Sequence, residues 1–375
     1  MCVAYKRLGD YIVDIDERNR DLSIQLSQGI NNNKYFQEPR QVAVNSTNDK
    51  IVRRGQFAYN RATTRNGDKI SIAYREGEDC TVSSAYQVFY IKDEDKLNPY
   101  YLLLWFKRPA FDRYARFKSH GSAHEFFEWD EMCNVMLPVP PIEEQRRIVA
   151  QYQAVEKRIR NNEQLIARLE DTAQAIFHHR FVDNIDPNNL PDGWGLIDIG
   201  AFCKQMVSGG TPNRKNDLYY NKPEIPWLKS GEVHNNVILD TEEYISRIGY
   251  DNSAAKMVPD NTVVMAMYGA TASEVGFLKK AVCTNQACCN MICDSYNDAC
   301  YLYYYLRHEQ EEIKRLANGG AQENLNKELI SSYPILRPND EDISVFSKLM
   351  DHQVAISKEI SLDKSIVDLI VSQMV

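Results

Sequence analysis

Cys283, Cys288, Cys289, Cys293 and Cys300 form a cluster that could hold a metal. Structural zinc sites present closely paired ligands such as Cys-x-x-Cys. No such pair occurs here, and no His lies between Cys283 and Cys300. The spacing suits small buried residues on strands and at a helix start. The seven histidines show no metal-ligand spacing, and His178-His179 close a helical stretch, where the dipole favours cations. Glu94-Asp95-Lys96 lacks the preceding Pro-Asp of a nuclease carboxylate–lysine set. Asn98-Pro99-Tyr100-Tyr101 is one proline short of the Asn-Pro-Pro-Tyr segment of adenine methyltransferases, and it introduces a helix rather than leaving a strand. No Gly-x-x-x-x-Gly-Lys-Ser/Thr loop, Gly-x-Ser-x-Gly elbow or glycine-rich methyl-donor entry is present. The residues therefore point to recognition without catalysis and imply no cofactor and no metal in this chain.

Charge is the other place where chemistry could reside. The net charge is −8, which does not mark a lone nucleic-acid binder. From Ile51 to Arg75, however, Arg53, Arg54, Arg61, Arg65, Lys69 and Arg75 face only Asp68. From Leu104 to His120, Lys107, Arg108, Arg113, Arg116 and Lys118 face only Asp112. Two readings fit: solvated faces of a strand and a helix, or patches for a polyanion. Under the second, the acidic total implies that other subunits supply part of the phosphate contact.

These side chains need a scaffold. A length of 375 residues suits two or three domains, and 43% hydrophobic with 26% charged residues suits an ordinary globular protein. No apolar run approaches the ~18 residues of a membrane span. The N-terminus, with Lys6, Arg7, Asp10, Asp14 and Asp16, has no signal-peptide core. Nine cysteines, an odd number, do not suit a secreted disulfide framework. A cytoplasmic location is expected.

Periodicity divides the chain into four parts. In residues 1–139, strands are expected over Ile51–Asn60, Lys69–Tyr74 and Thr81–Ile91, bracketed by Gly55 and Asn66-Gly67. A helix is expected over Pro99–Phe117, followed by a polar loop over Lys118–His124. Residues 140–181 read as one helix, with Pro140-Pro141 at its entry and Glu143 and Glu144 at the positive end of its dipole. Its seam is Ile148, Tyr152, Val155, Ile159, Asn162, Ile166, Leu169, Ala173 and Ile176, at alternating heptad spacings. Asn162 is the kind of polar seam residue that fixes register at some cost in stability. In residues 182–339, strands are expected over Thr262–Tyr268 and Ala287–Cys293 and a helix over Asn297–Ala317. Residues 340–375 carry a second seam: Phe346, Leu349, Gln353, Ile356, Ile360, Asp363, Val367, Ile370 and Met374. Gln353 and Asp363 weaken it. The two helices most simply pair with each other; packing on their own domains or on another protein is the alternative.

The chain also repeats itself. Gly121-Ser122-Ala123-His124-Glu125 returns 198 positions later as Gly319-Gly320-Ala321-Gln322-Glu323. The exits Leu137-Pro138-Val139-Pro140 and Ile335-Leu336-Arg337-Pro338 keep that offset. Cys80-Thr81 pairs with Cys283-Thr284, and Tyr101-Leu102 with Tyr301-Leu302, at slightly larger offsets.

Pro140-Pro141-Ile142-Glu143-Glu144-Gln145-Arg146-Arg147-Ile148 is similar to the helix entry of a known family. So are Trp194, Ile199-Gly200, Ser208-Gly209-Gly210-Thr211-Pro212, Tyr219-Tyr220, Ile225-Pro226-Trp227-Leu228-Lys229-Ser230-Gly231-Glu232 and Thr284-Asn285-Gln286-Ala287. Gly55-Gln56-Phe57-Ala58-Tyr59-Asn60-Arg61 and Cys80-Thr81-Val82-Ser83 resemble another branch of the same domain. Over nearly its whole length the chain resembles the specificity subunit of type I restriction–modification systems. That resemblance implies an α+β fold with two similar globular target recognition domains in tandem. Each is followed by a long heptad helix, and the two helices pair as an antiparallel coiled coil. It further implies a non-catalytic DNA-binding subunit whose two domains each read one half of a gapped site on double-stranded DNA. The helices would set the spacing and dock methyltransferase subunits, which use S-adenosylmethionine to methylate adenine. A restriction and translocase subunit would join them. The rival readings are a restriction enzyme with an unrecognised active site and a coiled-coil scaffold without DNA selectivity.

Base reading needs paired donors and acceptors, with Arg on guanine and Asn or Gln on adenine. Phosphate contact needs cations and small hydroxyls. The candidates in the first part are Asn60, Arg61, Thr63 and Arg65, beyond an apolar strand, with Ser119, His120 and Ser122 in the repeated loop. Those in the second are Thr211, Lys229, Ser230, Tyr268, Thr271, Gln322 and Asn324. Ordinary turn and cap chemistry is the alternative for each.

Overall fold

A computed structural model describes residues 4–39, 46–63, 69–119, 125–183, 185–186, 188–317 and 324–374. The chain forms two compact units, residues 1–158 with 363–375, and residues 159–362.

In the first unit an antiparallel sheet runs in the order Ile12–Ile15, Tyr86–Ile91, Phe57–Asn60, Ile72–Tyr74. Lys50–Val52 pairs with Cys80–Val82 beside it. The expected strand Ile51–Asn60 is thus two strands. Gly55, at φ +91°, turns the chain between them, a conformation in which other residues are strained. The expected strand Thr81–Ile91 is likewise two, split by a turn in which Tyr86 N–H donates to the Ser83 carbonyl. The expected helix Pro99–Phe117 is also two, Pro99–Lys107 and Pro109–Lys118. Arg108 is extended at ψ 133° because Pro109 crowds it out of the helical region.

The second unit repeats this plan. Its antiparallel strands run Gln205–Ser208, Cys288–Ile292, Val263–Ala266, Val275–Leu278, with Asn236–Ile238 added in parallel at the edge. Met257–Val258 pairs with Val282–Thr284 as Lys50–Val52 does with Cys80–Val82. Ile225–Leu228 and Glu243–Ile245 extend that small sheet, with Ile225–Leu228 parallel to Val282–Thr284. The expected helix over Asn297–Ala317 is broken as well, into Tyr296–His308 and Gln310–Ala317.

Each unit closes on a strand pair: Tyr5–Arg7 with Met136–Pro138, and Gly195–Asp198 with Pro334–Arg337. A repeated tyrosine ties the core helix to the closing strand. Tyr101 Oη donates to the Pro138 carbonyl at 3.1 Å, and Tyr301 Oη to the Leu336 carbonyl at 2.7 Å. The cores are aromatic, with Phe57, Phe89 and Phe106 in the first and Phe277, Tyr301 and Tyr303 in the second.

Each closing strand leads into a long helix, Ile142–Phe181 or Asp340–Ser372. In the first unit Ile148, Val149 and Tyr152 join Val367, Ile370, Val371 and Met374 in one apolar cluster, while Arg158 meets Asp363. In the second unit Phe177 and Phe181 pack on Phe346, while Asn162 Nδ2 donates to Glu359 at 3.2 Å. Rising numbers on one helix meet falling numbers on the other, so the pairing is antiparallel. None of the seam positions Ile148, Tyr152, Val155, Ile159, Asn162, Ile166, Leu169, Ile356, Ile360, Val367 and Ile370 is exposed. Leu165, Leu362 and Leu369 carry the exposed apolar surface instead.

Gln353 and Asp363, expected to weaken the seam, both find partners. Gln353 is buried and accepts from Tyr304 Oη at 3.1 Å. The Asp363 carboxylate, 1% exposed, accepts from Arg158 Nε at 2.6 Å and from a second guanidinium nitrogen. That guanidinium holds the Asp363 carboxyl below its usual range.

Candidate nucleic-acid interface

Strands Phe57–Asn60 and Ile72–Tyr74 form a hairpin, and the connection between them carries the first candidates. The residues returning from the repeated glycine loop lie against it. Phe127 N–H donates to the Arg61 carbonyl at 2.9 Å, Thr63 N–H donates to the Glu125 carbonyl at 3.0 Å, and Ala62 bridges to Phe126. The fold thus brings together two segments that lie about sixty residues apart in the chain.

The second unit does the same at the matching position. Phe57 faces Tyr74 and Phe89, as Val263 faces Phe277 and Met291, which makes Met267 the counterpart of Arg61. Leu325 N–H donates to the Met267 carbonyl at 3.1 Å. Tyr268 and Asn324, both exposed, therefore flank one backbone contact. The sequence showed the loop repeat but not its lacing to the central strand.

The candidates have unequal freedom. Arg61 is partly exposed, and its guanidinium makes only long contacts: 3.4 Å to Glu128, 3.4 Å to the Ala85 carbonyl and 6.0 Å to the Phe126 ring centre. The Asn60 side chain accepts from Ala62 N–H and shapes the turn. Thr63 is 3% exposed, with its hydroxyl bonded to the Glu125 carbonyl, so it holds the loop rather than facing outward. Ser119 is also buried, its hydroxyl back-bonded to the Ala115 carbonyl at the helix end. Thr271 is buried too, its hydroxyl donating to the Ser230 carbonyl, which packs the loops bearing Ser230 and Tyr268 together. Thr211 is exposed and bonds Gln286. Lys229 lies 3.0 Å from Glu243 and 3.2 Å from Glu242. The bond to Glu243 raises its pKa, and its charge is already balanced. Arg65, His120, Ser122 and Gln322 lie outside the described residues.

The basic stretch Ile51–Arg75 does not act as one patch, because the hairpin sends its charges to two ends. Arg53 is held by Glu17 and Asp79, and Arg75 by Gln28 and the Glu78 carbonyl, both at the end away from Arg61. A residue of the helix-entry string that was given no role of its own holds that entry. Gln145, fully buried, accepts from Asn98 N–H at 2.8 Å and donates to the Lys96 and Pro140 carbonyls. Its place in the Pro-Pro-Ile-Glu-Glu-Gln string was the available signal. Of the clustered thiols Cys283, Cys288, Cys289 and Cys300 are buried and Cys293 partly so, and burial pushes Cys283 and Cys289 up to about 12. Among the described residues no group of three His, Cys, Asp or Glu side chains could hold a metal, and no helix is long and apolar enough to cross a membrane.

The geometry defines a class: a duplicated α+β recognition fold with paired laced loops and an antiparallel helix pair. The family follows from comparison. The model of the type I restriction modification DNA specificity domain matches residues 17–171 and again 191–362, and the chain belongs to that family. Its relatives include the type I restriction enzyme HindI specificity subunit of Haemophilus influenzae, 31% identical over 166 residues. That alignment covers 42% of this chain and 35% of the relative. The MjaIX specificity subunit of Methanocaldococcus jannaschii is 22% identical over 187 residues, covering 46% of this chain and 43% of the relative. The chain thus matches less than half the length of either relative. In fold it is similar to the crystal structure of the type I restriction–modification S subunit from M. genitalium. The TM-score is 0.58 at 11% identity, covering 100% of this chain and 96% of that one.

Proposed function

We propose that this chain is the DNA-sequence-recognition subunit of a type I restriction–modification complex, without catalytic activity of its own. Each unit reads one half of a gapped site on double-stranded DNA, and the helices set the gap and carry the partners. The observation that carries this reading is the laced loop pair found at the matching strand end in both units. Cross-bonds between the start of the hairpin connection and the returning segment place base-reading side chains beside one another. Arg61 in the first unit and Tyr268 and Asn324 in the second are the groups so placed. The partners in this reading are methyltransferase subunits that bring S-adenosylmethionine for adenine methylation, and a restriction and translocase subunit. The complex works in the cytoplasm, where it limits phage DNA.

The test is single-molecule methylation mapping of DNA from cells with and without this gene, the neighbouring methyltransferase being present. A two-part adenine-methylated motif that disappears on deletion is the expected result. If instead the helices bind partners while the complex shows no sequence-selective DNA affinity, the chain is a scaffold. Inserting one helical turn at the matched positions near Asn162 and Glu359 is expected to alter the gap and leave both half-sequences unchanged.

A further inference from the structure

The first unit carries a second surface, drawn from both of its basic stretches. A groove of about 1320 Å³ runs along the helix Pro109–Lys118. The domain contributes Asn33, Lys69, Arg113 and Phe117, and the long helices contribute Tyr152, Glu156, Val367 and Asp368. Most of its cations are engaged: Lys107 with Glu156 at 3.5 Å, Arg116 with Glu125, and Arg108 over the Trp105 ring. Lys69 and Arg113 are exposed and have no ion pair among the described residues. Cations without an ion pair among the described residues, in so acidic a chain, suit an outside anion.

Phe117 is 80% exposed and lies one turn from Arg113 on the same helix face. A cation beside a bare ring matches a backbone that alternates phosphate with sugar. The groove borders the candidate interface through Arg116, which lines it and pairs with Glu125, whose carbonyl accepts from Thr63 N–H. Asp368, on the helix side of the groove, would repel an anion and keep it on the domain side.

The surface is pinned from beneath. Asp112 Oδ1 accepts from Lys34 Nζ at 2.6 Å and from Ile70 N–H at 3.1 Å, with both side chains buried. One carboxylate therefore fixes the turn bearing Asn33 and the segment bearing Lys69 to the helix bearing Arg113. Lys34 holds the left-handed backbone at φ +67°, a strain sustained by that pair.

We propose that Lys69, Arg113 and Phe117 form a contact surface for the sugar–phosphate backbone of duplex DNA flanking the first half-site, with Lys34–Asp112 as its positioning pair. This rests on the reading that the chain binds DNA. The test uses the full chain assembled with its methyltransferase and a duplex carrying the mapped site, titrated at several salt concentrations. Lys69→Ala with Arg113→Ala is expected to weaken binding equally for cognate and altered half-sites, and to reduce the salt slope by about 2, about 1 per lost phosphate contact. Phe117→Ala is expected to weaken binding without changing the slope. An unchanged slope in the double variant, with selective binding retained, overturns the proposal. Loss of methyltransferase assembly at an unchanged slope overturns it too and marks a protein-docking groove. A wild-type complex without selective DNA binding removes the parent reading as well.

Discussion

Removing either partner of the Arg158–Asp363 pair should have very unequal effects. Asp363 lies on the seam with 1% of its side chain exposed, whereas Arg158 reaches in from the edge with 56% exposed. In Arg158→Leu the carboxylate keeps its seam position and loses its guanidinium. Exposed pairs contribute about 0.2–1 kcal/mol, and breaking a buried pair costs about 3–5 kcal/mol. The half-wet guanidinium places this pair between those limits, so Arg158→Leu should destabilise by about 2 kcal/mol. In Asp363→Leu the arginine swings into water, and the new side chain gains about 1–2 kcal/mol by burial on the seam. The net effect should lie within about 1 kcal/mol of zero. At about 2–4 °C per kcal/mol, thermal unfolding of the first unit should fall by roughly 4–8 °C in Arg158→Leu. It should move only slightly in Asp363→Leu or in the double variant. The dependence on pH has a definite sign. The folded-state pKa of Asp363 is depressed, chiefly by its hydrogen bond from Arg158. The pair's contribution is therefore complete above the unfolded value of ~3.9 and lost as pH falls through the lower folded value. The deficit of Arg158→Leu should vanish in that acid window. Equal losses in the two single variants, or a deficit that persists in acid, would refute this account.

Three further outcomes follow from the same contacts. Gln145→Leu strands one N–H and two carbonyls at the helix entry and should cost about 2–4 kcal/mol, read as faster hydrogen exchange at Leu97–Asn98 and the first helical turn. Arg61→Ala should weaken DNA binding about tenfold, as loss of one base or phosphate contact does, with an unchanged unfolding transition; Lys229→Ala should change binding far less, because Glu242 and Glu243 already hold that charge. Thr271→Val should cost about 1 kcal/mol and raise exchange in the loop bearing Tyr268, since the hydroxyl's bond to the Ser230 carbonyl would be gone.

The long helices and their shared seam were legible in the residues alone. A face buried along a helix pair recurs every 3.5 residues, and that period survives in Ile148 to Ile176 and again in Phe346 to Met374 whatever the globular parts do. The duplication was legible too, because the same closing strand and the same tyrosine tie serve both units. Strand ends were less so: Gly55 and Pro109 interrupt elements that composition alone had run together. Individual site residues were the least readable. Thr63 and Arg61 sit two apart and look equally suited to DNA, yet the return of Glu125–Phe127 buries one and leaves the other at the edge. Asp363 looked like a flaw in its seam because the guanidinium that completes it lies 205 positions away in the chain. Periodicity records which side of an element is buried. Which charge meets which, and which hydroxyl is used up inside the fold, depends on contacts between distant segments, and those exist only once the chain has closed on itself.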